Sequence, residues 1–124
     1  MKEIVEKLKE IEYRTSRERG DYNLFALFLR EDSNKWDILV SSSWLSNDKE
    51  EGLNYLAKNI QQELTNNQFL LISRIVVVED SDLTISAIQE TFNFEHNSLE
   101  VKDFSFFGIL IKHAYIITSR KKRA

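Results

Sequence analysis

The stretch Phe69–Glu79, FLLISRIVVVE, is almost entirely apolar and rich in β-branched residues, with Ser73 and Arg74 as its interruptions. A strand with one wet face alternates polar and apolar side chains, whereas a strand covered on both faces carries a continuous run of this kind. The run therefore predicts a strand, Phe69–Val78, at the centre of an α/β sheet, with the helices encoded on either side of it as the cover.

Those helices and the remaining strands are legible from periodicity. From Lys2 to Arg17, Ile4, Val5, Leu8 and Ile11 recur at three- and four-residue steps, with Gly20 as the stop. Glu3–Lys7, Glu10–Arg14 and Arg14–Glu18 are spaced to pair on the outer face. Leu24–Leu29 (LFALFL) is apolar on both faces, and the polar stretch Arg30–Lys35 separates it from Trp36–Ser41 (WDILVS), which predicts a hairpin. The polar content of the second strand places it nearer the sheet edge. Asp48–Leu64 aligns Leu53, Leu56, Ala57, Ile60 and Leu64 on one helical face, and Asn47 with Glu50 has the spacing of a capping box. Strand, helix and central run then form a parallel crossover. Leu83–Phe92 reads as a further helix capped by Asp80 or Ser81, and Leu99–Phe106 and Ile109–Thr118 as two strands turning at Gly108. The order α-β-β-α-β-α-β-β predicts an α/β fold, with α+β as its variant, in a single domain over residues 1–119 with a mixed five-stranded sheet. Residues 120–124 are expected to be a mobile basic tail.

A chain of 124 residues suits one hydrophobic core, and 42% hydrophobic with 30% charged residues is ordinary globular composition. The absence of cysteine leaves no disulfide, thiolate zinc site or cysteine nucleophile, and fits a reducing cytoplasm. The first residues are interleaved with charge, unlike a signal peptide, and no stretch approaches the roughly 18 apolar residues of a membrane span, so a cytoplasmic protein without a membrane partner is expected. Net charge is −3, but Arg120, Lys121, Lys122 and Arg123 are basic, so residues 1–119 carry 13 Lys plus Arg against 20 Asp plus Glu, a net −7. Such a body repels a phosphate backbone, which disfavours nucleic acid as a partner.

Four groups of residues could carry function. Glu79, Asp80 and Asp82 follow the central run at the carboxyl end of a parallel strand, where α/β sheets bind ligands, and their oxygens suit Mg²⁺ or Mn²⁺. The same residues also suit the start of the helix that follows, complementing its dipole. Locally, Ile75–Asp82 (IVVVEDSD) resembles the opening strand and acidic pair of response-regulator receiver domains. The likeness spans those eight residues, and neither a later phosphoacceptor Asp nor the lysine strand end of that family can be placed, so no role is carried over. Ser41, Ser42 and Ser43 precede a helix start, but Asp48, Glu50 and Glu51 would repel an anion there.

His113, flanked by apolar residues, reads either as a general base or metal ligand or as a buried histidine bonded to a neighbour; His96 sits in a polar loop. Arg74 interrupts the apolar run, so it must pair with a carboxylate, Asp37 or Glu100, or meet an anion or partner. Trp44, Phe94, Phe104, Phe106 and Phe107 lie in or beside loops, where aromatics either seal the core or mark a binding surface. The reading that results is a small non-enzymatic cytoplasmic protein without a cofactor. It binds a protein partner, or itself as a homodimer, through Trp44, Arg74, Phe104, Phe106 and Phe107. The alternative is a metal-dependent hydrolase or nuclease-like enzyme using Glu79, Asp80, Asp82 and His113.

Overall fold

A computed structural model describes residues 1–79, 81–106 and 109–121. Its elements are α1 (Lys2–Arg19), β1 (Tyr22–Arg30), β2 (Trp36–Ser42), α2 (Ser43–Asn47), α3 (Lys49–Glu63), α4 (Asn66–Phe69), β3 (Ile72–Val77), α5 (Leu83–Thr91), β4 (Leu99–Phe106) and β5 (Ile109–Ser119). The five strands form one sheet in the order β3-β2-β1-β5-β4. β2 and β3 run parallel, and the other neighbours are antiparallel, giving the mixed sheet that the sequence predicts. Asp80, Phe107 and Gly108 lie outside the described residues, and with Gly108 the turn assigned to it.

The centre of the sheet is β1, which corrects the expectation for the Phe69–Glu79 run. Tyr22 to Phe28 are all buried, because LFALFL puts apolar side chains on both faces. Phe25 and Leu27 enter one hydrophobic cluster; Leu24, Ala26 and Phe28 enter the other. β3 instead occupies an edge of the sheet, is shorter than its sequence run and is only half-buried. Phe69 closes the short helix α4, and Phe69, Leu70 and Leu71 are exposed. The misreading has a physical origin: a continuous apolar run reports apolar side chains on both faces of a strand, and an edge strand between two layers satisfies that. What separates centre from edge is the second row of backbone hydrogen bonds, which side chains do not encode.

Helices cover both faces, making three layers. Ile4, Leu8 and Ile11 of α1, Leu45 of α2, and Leu56 and Ile60 of α3 pack on Phe25, Leu27, Ile38, Val40 and Ile117. On the opposite face Ile85 and Ile88 of α5 pack on Leu24, Ala26, Phe28, Ala114 and Ile116. Gly20 ends α1 at φ 126°, a conformation that side chains rarely adopt. Arg14 reaches across from α1 to α3, donating to Asn59 Oδ1 at 3.0 Å.

The start of α3 differs by one residue from the predicted box of Asn47 and Glu50. Asn47 is taken up as the last residue of α2, whose cap is Ser42, accepting from Leu45 N at 3.2 Å. Asp48 caps α3 by accepting from Glu51 N at 3.2 Å. Of the serines before the helix, Ser42 is thus explained by capping. A full capping box does occur at α4, between Thr65 and Gln68, and Lys7 Nζ donates to the same Gln68 oxygen at 2.8 Å. Gly52 permits close approach between two helices, α3 and α2: a Cβ there would lie 2.8 Å from Leu45 Cδ2 and 3.2 Å from the Trp44 ring.

Among the described residues, no helix is long and apolar enough to cross a membrane.

Candidate functional site

The β3 edge is a part of the described surface that carries apolar side chains and outward backbone groups together. Ile72, Ile75 and Val77 lean on the cluster under α1 and α3, and Val78 on the cluster under α5. Along the backbone, Leu71 O accepts from Trp36 N, and Val78 N donates to Val40 O, each at 2.8 Å. Successive residues of a strand turn their N–H and C=O to opposite sides, so Ile75 and Val77 direct theirs away from β2.

Sheet edges are ordinarily guarded by charge, proline or a bulge. The register of β3 shifts only near its start, between Trp36 and Asp37, and its one charged side chain is Arg74. From Ile75 to Val78 the edge is aliphatic. The other edge is different: β4 carries Glu100, Lys102 and Asp103, and Asp103 takes a left-handed φ of 52°. Large exposed apolar side chains stand at both ends of the β3 edge, Leu70 (64% exposed) with Phe69 and Leu71 before it and Leu83 (71% exposed) after it.

Arg74 pairs with Asp37, one of the two partners that the sequence offers for it. Asp37 on β2 is buried, and its Oδ2 lies 3.4 Å from Arg74 Nη2 and 3.6 Å from Arg30 Nε. A buried carboxylate needs such compensation, and here two guanidiniums reach in from the neighbouring strands. Arg74 is itself 57% exposed, so most of its charge faces solvent beside the edge.

The acidic residues after β3 stand apart from His113. Glu79 and Asp82 are exposed, and Asp82 N donates to Glu79 O at 3.0 Å in the turn leading to α5. Asp80 lies outside the described residues. His113 pairs with Leu29 and so sits at the end of the sheet where β2 begins, opposite the end that Val77, Glu79 and Asp82 occupy. Among the described residues, no three His, Cys, Asp or Glu side chains are grouped to hold a metal ion.

His113 has a different set of partners. Its Nε2 is 2.6 Å from Glu100 Oε2, to which the Tyr115 hydroxyl also donates at 2.9 Å. These two bonds, that of His113 first, hold the Glu100 carboxyl below its ordinary value. The imidazole lies 5.2 Å from the Trp36 ring and 4.9 Å from that of Tyr115.

Of the aromatic residues singled out in the sequence, Trp44, Phe94 and Phe104 spend much of their surface inside the fold. Trp44 is half-buried, donates from Nε1 to Gly20 O at 3.0 Å, and meets the rings of Tyr22 and Tyr55 edge-on. Phe94 and Phe104 pack on the α5 side of the core, and Phe104 meets Phe28 edge-on at 5.9 Å. The side chain of Phe106 and all of Phe107 lie outside the described residues.

A second polar centre escapes sequence reasoning. Glu12 of α1 is fully buried; it accepts from Thr118 Oγ1 at 2.9 Å and lies 2.7 Å from Nδ1 of His96. His96 stands at φ 54°, and its backbone N–H donates to the same Thr118 hydroxyl. Glu95 Oε2 is 3.4 Å from His96 Nε2, and its Oε1 is 3.2 Å from Nε of Arg120. The angle at that last contact makes it an ion pair without a hydrogen bond. Arg120, counted with the basic tail, is thereby a buried residue, with its backbone N–H bonded to Asn23 O. The available signal was the helical period itself, since Glu12 follows Leu8 by four residues and falls on the buried face of α1.

Burial raises the Glu12 carboxyl above its ordinary value of 4.5, against the opposing hydrogen bond and charge of His96 and the bond from Thr118. The folded state therefore holds this proton more tightly than the unfolded chain does. Glu12 contributes stability below pH 4.5 that is lost as the pH rises through its raised folded value. The stability of the wild type relative to Glu12→Gln is expected to fall across that window, as read from urea midpoints at stepped pH. A relative stability that rises with pH there would contradict this assignment.

Comparison with known proteins finds no match to a family model, a curated protein or a solved structure.

Proposed function

We propose that the protein works by binding other protein chains, without catalysing a reaction, and that the β3 edge is the surface that binds. The observation that supports this is the aliphatic edge from Ile75 to Val78, with outward backbone groups and exposed apolar side chains at both ends. An extended segment laid along such an edge gains main-chain hydrogen bonds, while its alternate side chains select the sequence. Of the residues named from sequence, Arg74 lies on this edge and adds a cation beside it. A cytoplasmic setting belongs to the same proposal, and cell fractionation checks it.

The test is a selection of displayed random peptides against the intact chain, repeated with Val77→Pro. Proline at a position whose N–H points away from β2 removes an outward donor and spares the β2–β3 ladder. Enrichment of extended, β-branched sequences that bind the wild type and lose binding to Val77→Pro is the expected outcome. Peptides that bind both proteins equally, or failure of a chain that stays monomeric to enrich any, would overturn the reading.

A further inference from the structure

The β3 edge has two unlike ends. At its start stand the cation of Arg74 and the exposed side chains of Phe69, Leu70 and Leu71. At its finish stand Glu79 and Asp82, with Leu83 exposed just beyond. The ends are opposite in charge and alike in carrying exposed apolar side chains. An identical strand laid antiparallel across the edge brings start against finish twice over, so that the cation of each copy approaches the acidic end of the other and apolar corner meets apolar corner. This is the self-complementary arrangement that a two-fold axis requires.

We infer that the partner of the β3 edge is β3 of a second copy, paired antiparallel about a two-fold axis beside Val76. The inference rests on the proposed binding role of this edge and names its occupant. The register follows from the backbone. Ile75 and Val77 carry the outward N–H and C=O groups, and in an antiparallel pair hydrogen-bonding residues oppose hydrogen-bonding residues. With the axis at Val76, Ile75 of one copy opposes Val77 of the second and the reverse. Two narrow pairs then close, and the aliphatic side chains of Ile75, Val76 and Val77 line up as cross-strand neighbours, with Val78 opposite Arg74. The two five-stranded sheets become one continuous sheet. An unrelated peptide would use the same backbone groups but would not match both ends at once.

Three measurements on the full chain test this. Sedimentation equilibrium from micromolar to millimolar concentration is expected to show wild-type mass rising to twice that of the chain. Val77→Pro is expected to remain monomeric with an unchanged circular dichroism spectrum. Should Val77→Pro fail to fold, Val76→Cys keeps the inference testable, because the chain has no other cysteine. Opposed Val76 positions at a non-hydrogen-bonded pair lie about 4.5 Å apart between Cα atoms, within disulfide reach. On mild oxidation Val76→Cys is expected to link into covalent dimers, and Ser73→Cys, away from the axis, is expected to link far less.

A wild type that stays monomeric at every concentration would overturn the inference. So would a dimer indifferent to Val77→Pro, or equal linking at both cysteine positions. If the wild type is monomeric yet binds selected peptides in a manner that Val77→Pro abolishes, the second copy is ruled out and the binding role survives. Loss of both removes both.

Discussion

Replacing Ile38 by alanine is expected to lower the stability of the folded chain by about 4 kcal/mol, and the same change at Ile75 by about 1–2 kcal/mol. The two positions make a controlled pair. They carry the same side chain, lie opposite each other in the β2–β3 register, and share the sheet face under α1 and α3. They differ in what surrounds them. Ile38 is fully buried on β2, with a strand on either side, and truncation there leaves a cavity that its neighbours cannot fill. Ile75 is half-buried on the edge, where less surface is lost and solvent fills the gap. Urea denaturation of the two variants reads the difference. Equal losses, or a larger loss at Ile75, would restore β3 to the centre of the core.

Removing the Glu12 carboxylate altogether, by Glu12→Ala, is expected to cost about 3 kcal/mol. That value combines a buried hydroxyl left without its acceptor with the cavity opened, while the His96 side chain, 31% exposed, recovers part of its hydration. The loss has two sources. The Thr118 hydroxyl and the His96 imidazole lose the carboxylate that they share, and a cavity opens beneath α1. Glu12→Gln keeps an acceptor for Thr118 and fills the same volume, so it is expected to lose less than half as much. The effect should also be local, since Glu12 and Thr118 tie α1 to the His96 loop before β4. Hydrogen exchange of the His96 amide, which donates to Thr118, is expected to accelerate in Glu12→Ala more than in Glu12→Gln. A Glu12→Ala chain as stable as the wild type would show that the network is incidental.

How much of this the sequence carried depends on the range of the interaction involved. Local patterns were readable: the stripe of α1, the β1–β2 hairpin and the parallel crossover to β3 follow from periodicity and turn chemistry, and the structure shows each. Arg74 was readable too, because a charge inside an apolar run needs a partner, and Asp37 is that partner. The rank of the strands was not. LFALFL and FLLISRIVVVE both present apolar side chains on two faces, and nothing local says that the first gains a second hydrogen-bonded neighbour while the second keeps a bare edge. The Glu12–His96 pair joins residues 84 apart, beyond the reach of any spacing rule. Periodicity could have flagged Glu12 as a carboxylate on a buried face, but it could not have named His96. His113 was joined to the acidic residues by side-chain chemistry alone, and the topology puts it at the end of the sheet opposite Glu79 and Asp82.

The most direct test of the binding edge is amide hydrogen exchange at Ile75, Val77 and Val78 in the wild-type chain, followed by nuclear magnetic resonance as concentration rises. Val78, which donates to Val40 at 2.8 Å, is expected to be protected already in the isolated chain. Ile75 and Val77 point outward and are expected to exchange freely when dilute and to become protected in step with association. Exchange at Ile75 and Val77 that stays fast and independent of concentration, while the protein associates through another surface, would contradict the account.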